Sequence, residues 1–247
     1  MFRYYEWLFL PKILSSDSVM KISDYGFLLF KTNYSESSLM LTFYTQKSGI
    51  SNFIYKGAKK KSVPFFVFGH YEITSYKRPE SDLGMINSLV IATPNLSSAS
   101  HPAKMLISFF VSDILRQTLK EEQADKVMFS FLLSAAQELN DTNRLKEFPL
   151  EFAAKLTINL GFAPQTIPNA TAFNLKTGRF SFDNGEGEYM RNGPMANYLN
   201  ILFSTLVAPH SDIQKQALGD ILLYMRLHLP SFDNSRSLSI IREILYS

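Results

Sequence analysis

An α+β fold follows from two changes along the 247-residue chain. From Val19 to about Thr93 apolar residues alternate with a period of two, as in half-buried strands. Beyond Pro94 they recur every three or four residues, as on one face of a helix. Basic charge gathers in the first region. The predicted architecture is an N-terminal five-stranded OB-fold β-barrel over 19–93, then a mainly α-helical domain over 94–247. Residues 1–18 are read as an N-terminal extension, and 163–194 as an irregular lobe with a small β-hairpin.

Each barrel strand has its own signal. Phe27, Leu29 and Lys31 alternate with Leu28, Phe30 and Thr32. In the segment LMLTFYT, Leu39, Leu41 and Phe43 share one face and Met40, Thr42 and Tyr44 the other. Gln46 to Gly49 is a turn, and Ile50 to Lys56 is a third strand. Its inward face is left open because Phe53, Ile54 and Tyr55 are all bulky. Val67 to Tyr76 and Met85 to Ala92 supply the fourth and fifth strands. Five short strands in about 75 residues fit a small Greek-key barrel.

Pro102 suits the first turn of a helix running to about Lys120, with an apolar stripe of Leu106, Phe109, Phe110, Ile114 and Leu115. A second helix carries Val127, Phe131, Leu132, Ala135 and Leu139. Pro149 opens a third, with Phe152, Leu156 and Leu160 at four-residue spacing and Gly161 at its C-terminal cap. In the lobe, NLKTGRFSF reads as a hairpin turning at Lys176 to Gly178, and DNGEGEY as a polar loop. Helical spacing resumes at Pro194, Tyr198, Leu199, Leu202 and Leu206. Ser211 and Gln214 suggest a capping box for a helix with Ile213, Ala217, Ile221 and Tyr224 inside. A last short helix holds Leu238, Ile241, Ile244 and Leu245.

The formal net charge is +3. Residues 1–90 hold eleven Lys/Arg against seven Asp/Glu, or +4, which leaves fourteen against fifteen, or −1, for the rest. Between Lys31 and Arg78 eight basic residues face two acids, Glu36 and Glu72. This asymmetry points to an anionic partner held by the barrel; the bland reading is a solvated basic face. The chain has no cysteine, which excludes disulfides, thiolate metal sites and cysteine nucleophiles. His70, His101, His210 and His228 are too scattered for a metal-ligand pair, so neither a metal nor another cofactor is expected. No phosphate-loop or nucleophile-elbow motif occurs, and GEGEYM lacks the third glycine of a dinucleotide loop. Catalysis is not expected. Glu6 interrupts the apolar opening MFRYYEWLFL, so residues 1–18 read as an extra strand or helix, or an over-extended start ahead of Met20. No run approaches the ~18 apolar residues of a membrane span, so a cytoplasmic location is expected.

Binding remains. Tyr34, Tyr44, Phe53, Tyr55 and Tyr71 lie among the lysines, and aromatic rings beside basic loops suit single-stranded nucleic acid. Phe53 and Phe68 fit the core better than stacking. Tyr44, opposite Leu39, Leu41 and Phe43, is the better stacking candidate. Lysines of the KKK loop, Lys59, Lys60 and Lys61, would release counterions on meeting phosphates.

The stretch FLLFKTNYSESSLMLTFYTQKSGISNFIYKGAKKK, followed by EITSYKR, resembles the N-terminal OB-fold of the RecO family of DNA repair and recombination mediators. The segments ILRQTLKEEQADKVMFSFL, INLGFAPQ, FNLKTGRF and YMRLHLPSFDNSRSLSIIREIL resemble its helical domain, in the form of Bacteroidetes-like members. The likeness runs from about Val19 to Leu245. It implies a bacterial, nucleoid-associated protein without catalytic turnover. Such a protein binds single- and double-stranded DNA, anneals strands coated by single-strand-binding protein, and works with RecR to load RecA. Implied DNA-binding positions are Lys31, Lys56, Lys59, Lys60 and Lys61; Tyr44, Lys47 and Arg78 join them from the residue reading. The pocket for the acidic, Phe-ended tail of single-strand-binding protein falls loosely near Arg116, Lys155 and Leu156. Many relatives carry four zinc-binding cysteines in the region of 163–194, and this chain has none. An OB-fold interaction scaffold, or an RNA-binding module without annealing activity, is the alternative.

Overall fold

The computed structural model describes residues 20–61, 64–77, 81–93, 100–119, 123–233 and 236–246. The N-terminal extension and Arg78 therefore lie outside the described residues. Strands β1 (Met20–Asn33), β2 (Leu39–Thr45), β3 (Gly49–Tyr55), β4 (His70–Lys77) and β5 (Leu83–Ile91) close into a barrel in the order β1-β2-β3-β5-β4, with β4 returning to β1. All neighbours are antiparallel except β3 and β5. This is the expected OB-like barrel.

Alternation decides what fills it. Leu28, Leu41, Phe43, Phe53, Tyr55, Tyr71, Ile73, Ile86 and Leu89 form the barrel core, so β3 turns Phe53 and Tyr55 inward. β1 runs from Met20, so it extends well ahead of the Phe27–Thr32 alternation that signals it in the sequence. Its register against β2 slips once: Leu28 faces Phe43, and the next pair is Phe30 with Thr42. This bulge leaves Leu29 unpaired; alternation already sends Leu28 into the barrel and Leu29 to the helices, and the extra residue keeps Phe30 on the outward face, opposite Thr42. β4 starts at His70 and not at Val67, because Phe68 adopts φ 61 and Gly69 closes a turn onto Phe66.

The second part holds helices α1 (Pro102–Thr118), α2 (Lys126–Asp141), α3 (Phe148–Asn159), α4 (Pro194–Thr205), α5 (Gln214–His228) and α6 (Arg236–Leu245). Asp125 caps α2, accepting from the backbone N–H groups of Val127 and Met128. Gly161 sits just past α3 at φ 80, as a C-terminal cap requires. The stripes shift slightly from the sequence reading: Ile107 and Val111 are buried on α1 while Phe109 is exposed, and Val127 is exposed on α2. The Ser211–Gln214 capping box does not form. The Gln214 side chain instead donates to Glu147 Oε1 at 3.1 Å and to the Pro209 carbonyl at 3.0 Å.

Between α3 and α4 lies a three-stranded sheet, with β6 (Ala172–Asn174) between β7 (Arg179–Ser181) and β8 (Met190–Asn192). The predicted hairpin is present. β8 follows the expected polar loop, in part of the lobe where the sequence predicts no element, because a three-residue strand is too short to show alternation. The sheet is held by Phe173 stacked on Phe180 at 4.1 Å and by an ion pair from Arg191 on β8 to Asp220 on α5 at 2.7 Å.

Barrel and helices share a core. Phe27, Leu29, Tyr44, Ile50 and Phe68 on the barrel's outer side belong to the same buried cluster as Ile107, Phe110, Phe129 and Phe152 of the helices. Phe129 is the plug, its ring 5.4 Å from Phe27, 6.4 Å from Tyr44 and 6.0 Å from His70. At the same seam the β2–β3 turn presses on the segment leading to α2. Gly49 has φ 66, and a Cβ there would lie 2.5 Å from the Gln123 carbonyl oxygen.

Candidate nucleic-acid interface

Five of the predicted lysines gather at one end of the barrel. Lys31 is near the end of β1, Lys56 follows β3, and Lys59 and Lys60 lie in a short 3-10 turn, Ala58–Lys60, with Lys61 next. This turn is tied to the β1–β2 connection. The Lys59 backbone N–H donates to the Ser37 carbonyl at 3.3 Å and Lys59 Nζ donates to the Ser35 carbonyl at 3.0 Å. All five side chains are exposed, and none makes an ion pair among the described residues.

Aromatic rings buttress this end. The Tyr71 hydroxyl donates to the Pro64 carbonyl at 2.9 Å and accepts from the Phe66 N–H at 2.7 Å. Burial pushes the Tyr71 phenol up to about 12, so the hydroxyl keeps its proton for that tie. Phe65 is thereby held edge-on to Tyr55, with ring centroids 6.3 Å apart. Lys61 Nζ lies 4.2 Å from the Tyr55 ring centroid, and Lys31 Nζ donates to the Phe65 carbonyl at 3.4 Å. Cation–π contact holds the Lys61 ammonium without neutralising it. Tyr34, in the β1–β2 connection, presents an exposed ring at this end, 54% accessible.

Two predicted residues are elsewhere. Lys47 is in the β2–β3 turn at the opposite end of β2, about 20 Å away at the usual strand rise. There its Nζ donates to the Ser23 carbonyl at 2.6 Å. Tyr44 does face away from Leu41 and Phe43, but it is only 1% exposed and packs on Phe129. Burial raises its phenol above the ordinary value. It cannot be a stacking platform, because the helices occupy the surface that strand alternation leaves open.

The sequence matches two family profiles end to end: "Recombination protein O N terminal" over residues 20–95 and "Recombination protein O C terminal" over residues 99–188, together about two thirds of the 247 residues. The chain belongs to the RecO family. Proteins called DNA repair protein RecO are similar along nearly their whole length. The protein of Christiangramia forsetii is 26% identical over 238 residues, covering 91% of this chain and 99% of that protein. The Flavobacterium psychrophilum protein is 25% identical over 243 residues, covering 91% and 99%. The Bacteroides fragilis protein is 25% identical over 241 residues, covering 89% and 97%. RecO proteins are DNA repair and recombination proteins, mediators without catalysis of their own.

In this RecO chain the three residues expected near a partner tail have different surroundings. Leu156 is fully buried, because its four-residue spacing from Phe152 puts it on the inward stripe of α3. Lys155 pairs with Glu138 of α2 at 2.9 Å. Arg116, in the last turn of α1, reaches the barrel, with its guanidinium carbon 4.1 Å from the Phe30 ring centroid. The sequence offered no signal for that pairing, since 86 positions separate the two. Among the described residues no group of three or more His, Cys, Asp or Glu is arranged to hold a metal, and no helix is long and apolar enough to cross a membrane.

Proposed function

We propose that this protein binds single-stranded DNA through the lysine end of its barrel and acts as a recombination mediator, annealing complementary strands coated by single-strand-binding protein and helping to load RecA. Its partners in this reading are single- and double-stranded DNA, RecR and the acidic tail of single-strand-binding protein, in the bacterial cytoplasm. The observation that carries the DNA-binding step is the gathering of Lys31, Lys56, Lys59, Lys60 and Lys61 around one mouth of the barrel, without ion-pair partners among the described residues. An array of that kind displaces counterions from a phosphate chain, so affinity falls steeply with salt. The annealing step rests on family membership. A surface that holds backbone phosphates and few bases leaves base edges open to a complementary strand.

A fluorescent single-stranded oligonucleotide titrated by anisotropy at several salt concentrations tests this. Replacing Lys59, Lys60 and Lys61 by alanine is expected to lower the log–log salt slope by about 2, at ~0.7 per single-strand phosphate. An unchanged slope removes this loop from the site. Absence of binding by the wild-type protein at micromolar concentration near 0.1 M salt would leave a protein-interaction scaffold. Annealing of oligonucleotides coated with single-strand-binding protein tests the second step.

A further inference from the structure

The geometry points to a nucleobase-stacking subsite where the two parts of the chain meet, built by Arg116 of α1 over Phe30 of β1. It rests on the DNA-binding reading above and extends that surface beyond the lysines.

Phe30 stands on the outside of the barrel and is 43% exposed, a large ring that neither core has absorbed. It is there because the bulge at Leu29 breaks the alternation that would have turned it inward and pairs it with Thr42, on the outward face of β2. Arg116 covers the ring at 4.1 Å, yet is itself exposed and has no carboxylate partner among the described residues. A guanidinium held over an aromatic ring is ordered, remains charged and offers a second face to a ligand. Arginine planes stack on unpaired bases in this way.

The surroundings suit a base. Thr42 pairs across β2 and β3 with Asn52, and its Oγ1 donates to Asn52 Oδ1 at 2.7 Å. The Asn52 amide nitrogen makes no hydrogen bond among the described residues and is left for a ligand. The next row towards the lysines, Thr32, Met40, Ile54 and Met85, is mostly apolar, and Met85 is 41% exposed. Phe30 lies three residues along β1 from Asn33, where the lysine end begins, or about 10 Å at the strand rise. A strand whose phosphates meet the lysines therefore reaches the Arg116 stack within a few nucleotides. The stack is sequence-tolerant, since every base has a π-face.

Binding of a fluorescein-labelled dT oligonucleotide and of a matching abasic oligonucleotide to the full chain separates stacking from charge. The conservative variant Arg116→Lys keeps the charge and loses the plane. It is expected to weaken dT binding roughly tenfold, within the range for one lost base stack, while abasic binding stays near the wild-type value. Phe30→Leu, which removes the platform and leaves Arg116, is expected to reproduce this selective loss. Equal affinity of wild type and Arg116→Lys for dT would overturn the subsite, as would an equal loss for both oligonucleotides. Displacement of a fluorescent acidic, Phe-ended peptide from Arg116→Lys but not from wild type would assign the arginine to a protein tail and also overturn it. If the wild-type protein binds neither oligonucleotide, the DNA reading itself falls; wild-type binding with a neutral Arg116→Lys sinks the subsite alone.

Discussion

Breaking the Arg191–Asp220 pair one side at a time is expected to cost far more than replacing both partners together. The side chains are 18% and 7% exposed, and the contact is 2.7 Å. Asp220→Ala leaves Arg191 with two backbone acceptors, the Glu188 carbonyl at 2.7 Å and the Met190 carbonyl at 2.9 Å. The stranded charge keeps part of its solvation, so the cost falls near the low end for a broken buried pair, about 3 kcal/mol. Arg191→Met strands a carboxylate whose Oδ2 already lacks a hydrogen-bond partner among the described residues, so the cost rises to about 4 to 5 kcal/mol. Because Arg191 Nε is also unsatisfied, the wild-type pair is imperfectly solvated. The double variant Arg191→Met/Asp220→Leu is therefore expected within about 1 kcal/mol of the parent. Urea unfolding followed by circular dichroism reads all four proteins, provided the m-value is shared. A double variant whose loss equals the sum of the single losses would refute the reasoning. It would mean that each side chain acts through its own packing and not through the other.

Tyr44→Phe is expected to leave oligonucleotide affinity unchanged within twofold by anisotropy. Only the long hydroxyl contacts to the Asp125 backbone, 3.3 and 3.4 Å, are lost, at about 0.5 kcal/mol of stability. Burial lowers the His70 imidazole below 6.5, so the folded protein takes up its proton less readily than the unfolded chain does. His70 thus contributes stability that is present above pH 6.5 and lost as pH falls through its lowered value. Relative to His70→Phe, which keeps the stack on Phe27, the wild type should weaken over that window in urea titrations at stepped pH. Gly49→Ala combines φ 66 with a 2.5 Å approach to the Gln123 carbonyl oxygen, and is expected to cost at least about 2 kcal/mol in the same unfolding assay.

Period-two and helical patterns were legible because each element's own neighbours impose them. The limits of β2, the position of Pro102 in α1 and the hairpin at Lys176 to Gly178 all follow from a few adjacent residues. Tyr44 shows where local reading stops. Alternation correctly turned it away from Leu41 and Phe43, but only the docking of Phe129 decides whether that side is wet. The Gln214 side chain is similar: its spacing from Ser211 satisfied a local rule, while Glu147, 67 residues away, captured its amide. The lysine cluster was partly legible, since four of its five members lie within the KGAKKK segment. Lys47 lies apart from the other five, because proximity in sequence conceals the length of a strand between two turns. The Arg116–Phe30 contact depends wholly on how α1 lies against the barrel.

The outward-facing Phe27, Leu29, Tyr44, Ile50 and Phe68 make the barrel a poor candidate for transplantation. Cut free after Thr93, it would carry those five side chains into water as one contiguous oily face and self-associate. A shuffled gene could not donate the lysine-bearing half to a new host without also donating the helices that cover that face. The two halves are therefore inherited as one cargo, and a change in the helical half that resettles Phe129 is felt at the strands that space the lysines.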